Sequence, residues 1–375
     1  MTAKQRLITA LRRQQPDVVP VTLGVSEMVP VRMSGLSYVD FFWYEKVPQN
    51  RCRIDCERSF GADVFMHSGE GAGPDDPPTT VDAISESREE VVYREITHTA
   101  HGDLIGVKRV AGTESPAMLQ GAVRDPAGQR DAVLDTLQHP EGKDFSGYLD
   151  DWNYLGEDGH CGFWISTPVD WWALLRGGPQ AAIYDFIDQP GLIGDLFAEY
   201  TRYAAALLDS FLRQCLPQAD SIGLGGSTTS MSVMSPRLLE ALTVPFVRAL
   251  QAVADRYGVP TQYHMCGRSR AAIPILAEAG VGGMDALECP PTGDVDLGEV
   301  KRLFGDRLSL RGNVNSITTM LRGTPEDVER EVIRCLEDAK AGGGFILGVG
   351  DQTPYWTPEE NIRALVEAGR KYGRY

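Results

Sequence analysis

The sequence predicts an α/β fold, a (β/α)8 TIM barrel with an N-terminal β-hairpin excursion, on three observations. Short Val/Ile/Leu/Phe runs suit buried strands, longer segments between them space their apolar residues by three and four, and the two kinds alternate about eight times along 375 residues. An open doubly wound sheet has the same alternation, because periodicity does not show closure.

In chain order, the expected strands are Val18–Val25, Ala62–His67, Gly162–Ser166 and Asp220–Gly225, then Pro260–Met265, Gly283–Glu288, Leu308–Gly312 and Gly344–Val349. Each is a short apolar run, as a strand buried on both faces requires. Among the helices, Pro236–Tyr257 places Leu238, Leu239, Leu242, Phe246, Leu250 and Val253 on one face. Arg270–Ala279 is stopped by Gly280, and Pro325–Ala341 by Gly342-Gly343-Gly344. Met1–Arg13 interleaves basic and apolar residues at helical spacing and reads as a surface helix rather than a signal peptide. Val91–Thr97 and Leu104–Val110 flank His101-Gly102-Asp103 as an antiparallel hairpin after the second strand. With the polar stretch 124–151 that follows, it makes 85–150 an insertion into a single domain spanning 1–375.

The charge balance restricts the partners. Fifty-two acidic against 36 basic residues give a formal charge of -16 without a basic stripe, which disfavours nucleic acid and anionic membranes. No window approaches the ~18 to 20 apolar residues of a membrane span. Seven Cys, an odd and sparse set, form no readable disulfide framework and suit reduced thiols in a cytoplasm. The expected partner is a small molecule, another protein, or both.

In a barrel, chemistry sits at the C-terminal ends of strands. Those ends carry Glu27, His67 and Glu70, Ser227-Thr228-Thr229, His264-Met265-Cys266-Gly267, Glu288-Cys289, Asn313 with Asn315, and Asp351-Gln352. His264 and Cys266 are the sharpest pair: residues i and i+2 of an extended segment point one way, so an imidazole and a thiol converge on room for one soft or borderline metal such as zinc. The bland alternative is a His that caps a loop beside a small buried Cys. Either Cys289 or Asp351, from neighbouring strand ends, completes a three-ligand site. Ser227 either binds a polar ligand or caps a helix. Trp171, Trp172, Tyr355 and Trp356 are candidates for an apolar rim, against ordinary packing. Cys52 and Cys56 read as plain thiols, His98 and His101 receive no role, and there is no P-loop, Rossmann fingerprint or G-x-S-x-G.

These segments resemble the uroporphyrinogen decarboxylase superfamily, most strongly from about Asp220 to Tyr375. The resemblance is carried by Met234-Ser235-Pro236, His264-Met265-Cys266-Gly267, Leu303-Phe304-Gly305-Asp306-Arg307 leading to Leu310-Arg311-Gly312-Asn313-Val314-Asn315, and Gly343-Gly344-Phe345-Ile346-Leu347-Gly348 through Thr357-Pro358-Glu359-Glu360-Asn361-Ile362. It implies a (β/α)8 barrel with its site at the C-terminal mouth. The decarboxylase branch uses an Arg-Gln-Ala-Gly-Arg-Tyr motif on a polyanionic porphyrinogen. Here that stretch, Val25-Ser26-Glu27-Met28-Val29-Pro30-Val31-Arg32, holds one Arg.

The corrinoid-dependent methyltransferase branch holds zinc with a His-x-Cys and a later Cys. His264 and Cys266 match that pair, whereas the later Cys falls on Asp351, a departure that keeps Cys289 in contention. The resemblance implies methyl transfer between a corrinoid on a partner protein and a small-molecule donor or a thiol or folate acceptor, with zinc at His264, Cys266 and Asp351 or Cys289. Glu288, Asn313 and Ser227 would orient substrate. The alternatives are a metal-free decarboxylase, a pterin-dependent methyltransferase, or a non-catalytic barrel that binds a metabolite or a corrinoid protein. A homodimer is compatible with all of these.

Overall fold

The structure, a computed structural model, describes residues 1–112 and 114–375. Its frame is a curled, TIM-barrel-like sheet of seven parallel strands. In sheet order these are β1 (Val64–Ser68), β6 (Gly159–Ser166), β7 (Ser221–Gly225), β8 (Thr261–Met265), β9 (Gly283–Ala286), β10 (Ser309–Val314) and β11 (Phe345–Val349). Strand follows strand in sequence order, as right-handed helical crossovers impose. The helices that cover the sheet are α1 (Ala3–Leu11), α2 (Met28–Ser34), α3 (Tyr38–Phe42), α4 (Gln49–Ser59), α5 (Arg130–Asp135), α6 (Ser146–Leu155), α7 (Pro168–Arg176) and α8 (Pro179–Asp188). They continue with α9 (Pro190–Cys215), α10 (Pro236–Leu242), α11 (Val244–Tyr257), α12 (Ile273–Ala279), α13 (Leu297–Phe304), α14 (Pro325–Ala339) and α15 (Glu359–Tyr372).

The expected first strand, Val18–Val25, is not a strand. It is an extended segment lying between β11 and β1, bridged to β11 at Val21–Leu347 and joined to the residue before β1 by the Asp63 amide donating to the Val21 carbonyl. Pro20 has no amide to donate, and Gly24 turns to φ +59°, so no regular ladder runs along it. A side chain substitutes for the missing partner: the Val21 amide donates to Asp63 Oδ2 at 2.8 Å.

Three other expectations are corrected. Pro236–Tyr257 is two helices broken at Thr243, because Pro245 in the first turn of α11 cannot donate back into α10. β9 stops at Ala286 rather than Glu288, since Ala286 and Leu287 both take positive φ. The hairpin pairs β3 (Glu90–Thr99) with β4 (Gly102–Ala111), but it is the middle of a four-stranded antiparallel sheet completed by β2 (Thr79–Glu86) and β5 (Glu114–Gln120). At the opposite end of the barrel from the mouth, Leu7, Ala10 and Leu11 of α1 pack on Phe65 and Ile346. Helix α1 is fixed by a capping box between Thr2 and Gln5. The floor is therefore closed by apolar contact. Among the described residues no helix is long and apolar enough to cross a membrane.

Candidate functional site

Strand alternation sends every second side chain into the barrel. Phe65 and His67 from β1, Trp164 from β6, His264 from β8, Asp285 from β9 and Arg311 from β10 meet around a cavity of about 870 Å³. At its mouth His264, Cys266 and Asp351 each offer one ligand atom, and the three atoms lie within 4.8 Å of one another. His264 Nε2 is 3.9 Å from Asp351 Oδ1, and Cys266 Sγ is 3.1 Å from Ser227 Oγ.

The imidazole is oriented from behind. His264 Nδ1 lies 3.3 Å from Asp285 Oδ2, and the other Asp285 oxygen accepts from Arg311 Nη1, whose Nε donates to Thr22 Oγ1 at 3.1 Å. In the neutral ring, a proton on Nδ1 would leave Nε2 as the lone-pair donor toward Cys266 and Asp351. Burial works against the Asp285 charge, but the Arg311 guanidinium and the His264 hydrogen bond outweigh it and hold the carboxyl well below its ordinary range. The His264 imidazole is raised: burial disfavours its charge, while hydrogen bonds to Asp285 and Cys266 favour it more strongly. At Asp351 burial dominates and pushes the carboxyl up, with His264 opposing. The Asp351 loop approaches so closely that a Cβ at Gly24 would lie 2.6 Å from the Asp351 carbonyl oxygen, and Thr353 ties the loop to Gly24 and Leu23.

Of the residues expected at the site, the structure gathers His264, Cys266, Asp351 and Ser227. Cys289 is not with them. Its thiol points to the Asn313 carbonyl at 3.4 Å and to Glu331 on α14, because the chain after β9 turns it toward the outer helix layer. Asn313 is fully buried and faces the same way, donating to the Leu287 carbonyl and accepting from Arg334 of α14, so it does not reach the cavity. Glu288 accepts from the Gly267 amide and thereby fixes the turn after Cys266, and its charge acts on Asp351. Among the aromatic residues, Trp171 lines the cavity and stacks on Tyr200. Trp172 lies in the core with its Nε1 on Asp185, Tyr355 packs on Tyr38, and Trp356 is 72% exposed.

Sequence reasoning passed over Asp285, Arg311, Arg53 and Glu57. The signal for the first two was a charged residue inside a run read as a buried strand, where an unpaired charge is not tolerated. His67 lies across Gly162 and Gly223, where a Cβ would come within 2.9 Å of its ring, and burial pushes its imidazole down to about 3. It is a neutral wall of the cavity.

Residues 174–372, more than half of the chain, match the uroporphyrinogen decarboxylase (URO-D) family. The chain belongs to that family. Among curated URO-D relatives, it is 32% identical over 158 residues to a methylcobamide:CoM methyltransferase, MtaA, of Methanosarcina barkeri, covering 41% of this chain and 42% of that one. It is 37% identical over 86 residues to a uroporphyrinogen decarboxylase of Methylobacillus flagellatus, 23% of each chain. The chain thus spans less than half the length of the curated relatives it matches. In three dimensions it resembles a methyltransferase from Methanosarcina mazei over 99% of both chains, with a TM-score of 0.65 at 17% identity, which establishes a shared fold. Within the URO-D fold, Arg32 of α2 does not line the cavity: its Nη1 donates to the Tyr355 and Thr357 carbonyls, and its Nη2 is buried away from it.

Proposed function

We propose that this chain is a methyltransferase that moves a methyl group between a corrinoid carried on a partner protein and a small-molecule donor or thiol or folate acceptor, with zinc held by His264, Cys266 and Asp351. The observation that carries the reading is the convergence of an imidazole nitrogen, a thiol sulfur and a carboxylate oxygen at the barrel mouth. That donor set suits zinc, and three protein ligands leave a fourth position for substrate. The Asp285–His264 contact is the outer support that a metal-bound imidazole ordinarily has. Bound there, zinc supplies Lewis acidity, which keeps a thiol as thiolate at neutral pH or polarises the heteroatom that bears a methyl group.

The chain's own residues do the rest. Asp285, itself fixed by Arg311, holds the His264 tautomer; Glu288 fixes the turn that aims Cys266; Ser227 contacts the thiol; and Trp164 and Trp171 give the substrate an apolar wall. The methyltransferases among its relatives support the class of reaction. A porphyrinogen decarboxylase reading is less well supported, because Arg32 is not among the residues lining the cavity and a polyanion needs several guanidinium groups.

Metal analysis paired with methylcobalamin demethylation, using thiol and folate acceptors and methylated small molecules, tests the reading. We expect about one zinc per chain, lost together with activity in the double variant His264→Ala, Cys266→Ala. Full activity in zinc-free protein would refute the metal assignment, and inertness toward methylcobalamin in zinc-loaded protein would refute methyl transfer.

A further inference from the structure

The cavity extends beyond the mouth to two side chains that no part of the methyl-transfer reading uses. Arg53 and Glu57 of α4 are spaced i, i+4, on one face of the helix, and both line the cavity. Arg53 makes no hydrogen bond or close ion pair among the described residues, its charge acting only at longer range on Glu57, and its Nε is buried without an acceptor. Glu57 is 2% exposed, and its Oε2 is likewise buried without a partner. Leaving a buried donor or acceptor unmet costs ~1–3 kcal/mol, so two together at one end of a cavity mark a place for a ligand. The other cations of the lining are engaged: Arg311 with Asp285 and Thr22, Lys143 with Asp76 at 2.7 Å.

We propose that this inner end binds the carboxylate of an organic acid, with Arg53 as its guanidinium fork, Glu57 as its second partner, and the acid's apolar body against Trp164 and Trp171. The proposal deepens the methyl-transfer reading and rests on it for the claim that this acid is the small-molecule methyl substrate. A single free guanidinium matches one planar carboxylate, whereas a phosphate ester demands more positive charge. Burial pushes the Glu57 carboxyl up to about 7, so near neutral pH much of it is protonated and donates to a bound carboxylate instead of repelling it. Five aromatic side chains, Phe65, Trp164, Trp171, Tyr200 and Tyr203, line the same cavity, which at about 870 Å³ has room for an organic body and not merely an ion.

Calorimetric titration of zinc-loaded protein with 3-methoxybenzoate and its neutral isostere 3-methoxybenzamide tests it. We expect the acid to bind about tenfold or more tighter than the amide, and the preference to vanish in Arg53→Met with zinc content unchanged. Where Arg53→Met does not fold, Arg53→Lys, which keeps the charge but loses the fork, must lower the preference. Equal affinities in the wild type, no binding of either probe, or a preference that survives both substitutions overturns the proposal. Loss of methylcobalamin activity with the preference intact would strike only the methyl-transfer reading.

Discussion

Replacing Glu57 by Gln removes one titration from the core, and the size of the effect follows from where the carboxyl sits. Glu57 is almost wholly buried, and burial moves its carboxyl from 4.5 up to about 7 even though Arg53, Arg311 and the backbone amides of Phe65 and Leu23 favour the ionised form. Because the folded value is raised, its contribution favours folding fully below about pH 4.5 and is lost as pH rises through about 7. At about 1.4 kcal/mol for each pH unit, ionising this carboxyl in the folded chain costs ~3 kcal/mol by pH 8. That is a large share of the ~5–15 kcal/mol that holds a typical domain together. Urea unfolding of wild type and Glu57→Gln at pH 5 and pH 8 isolates the effect. Buried His67 and His160, whose imidazoles are depressed by desolvation, change stability in the opposite sense on acidification but do so equally in both proteins. The variant is expected to gain ~2–3 kcal/mol on the wild type between the two pH values, since part of the cost is already present at pH 5. Stability curves that stay parallel across this range would show that Glu57 is not a buried, near-neutral titrating group.

Two further substitutions probe the support around the site. Gly223→Ala brings a Cβ to 2.5 Å from the His67 ring and 2.8 Å from Trp164, so it should destabilise the fold by ~1–3 kcal/mol in denaturant unfolding, and an unchanged midpoint would mean that the ring has room to move. Asp285→Asn leaves Arg311 without its carboxylate and frees the His264 tautomer; it should weaken zinc binding about 10–100-fold in a chelator competition, and wild-type affinity would refute the supporting role.

The parts of the fold that sequence conveyed best are those in which pattern and environment agree. Seven buried strands surface as apolar runs because both their faces are covered, and β8 and β10 lie where expected. β2 is exposed along its whole length, so no apolar alternation marks it, and the excursion reads as a hairpin rather than four strands. At the site, His264 and Cys266 are legible from i, i+2 spacing alone. The choice between Asp351 and Cys289 is not, because it turns on which way the chain leaves β9, and the positive φ of Ala286 and Leu287 that sends Cys289 and Asn313 toward α14 leaves no signature in residue type. Asp285 and Arg311 were visible only as charges in strands, without a rule to pair them.

The failure at Val18–Val25 and the oversight of Glu57 have one cause. Pro20 and Gly24 deny this segment a full ladder, and only the Asp63 amide donates a backbone bond across the seam to β1. A seam with unmet amides must be satisfied by side chains. Asp63 does so at Val21, and the Glu57 carboxyl sits close enough to the Leu23 and Phe65 amides for them to favour its charge. A carboxylate that crosses the wall to reach these amides also reaches the cavity, and it brings Arg53, one helical turn earlier on the same face of α4, with it. The irregularity that keeps Val18–Val25 from forming a strand is therefore what gives an outer helix access to the barrel interior. A regular eighth strand would satisfy its own amides and leave α4 outside. The cavity would then have metal-ligating groups at its mouth but no free cation to orient what enters.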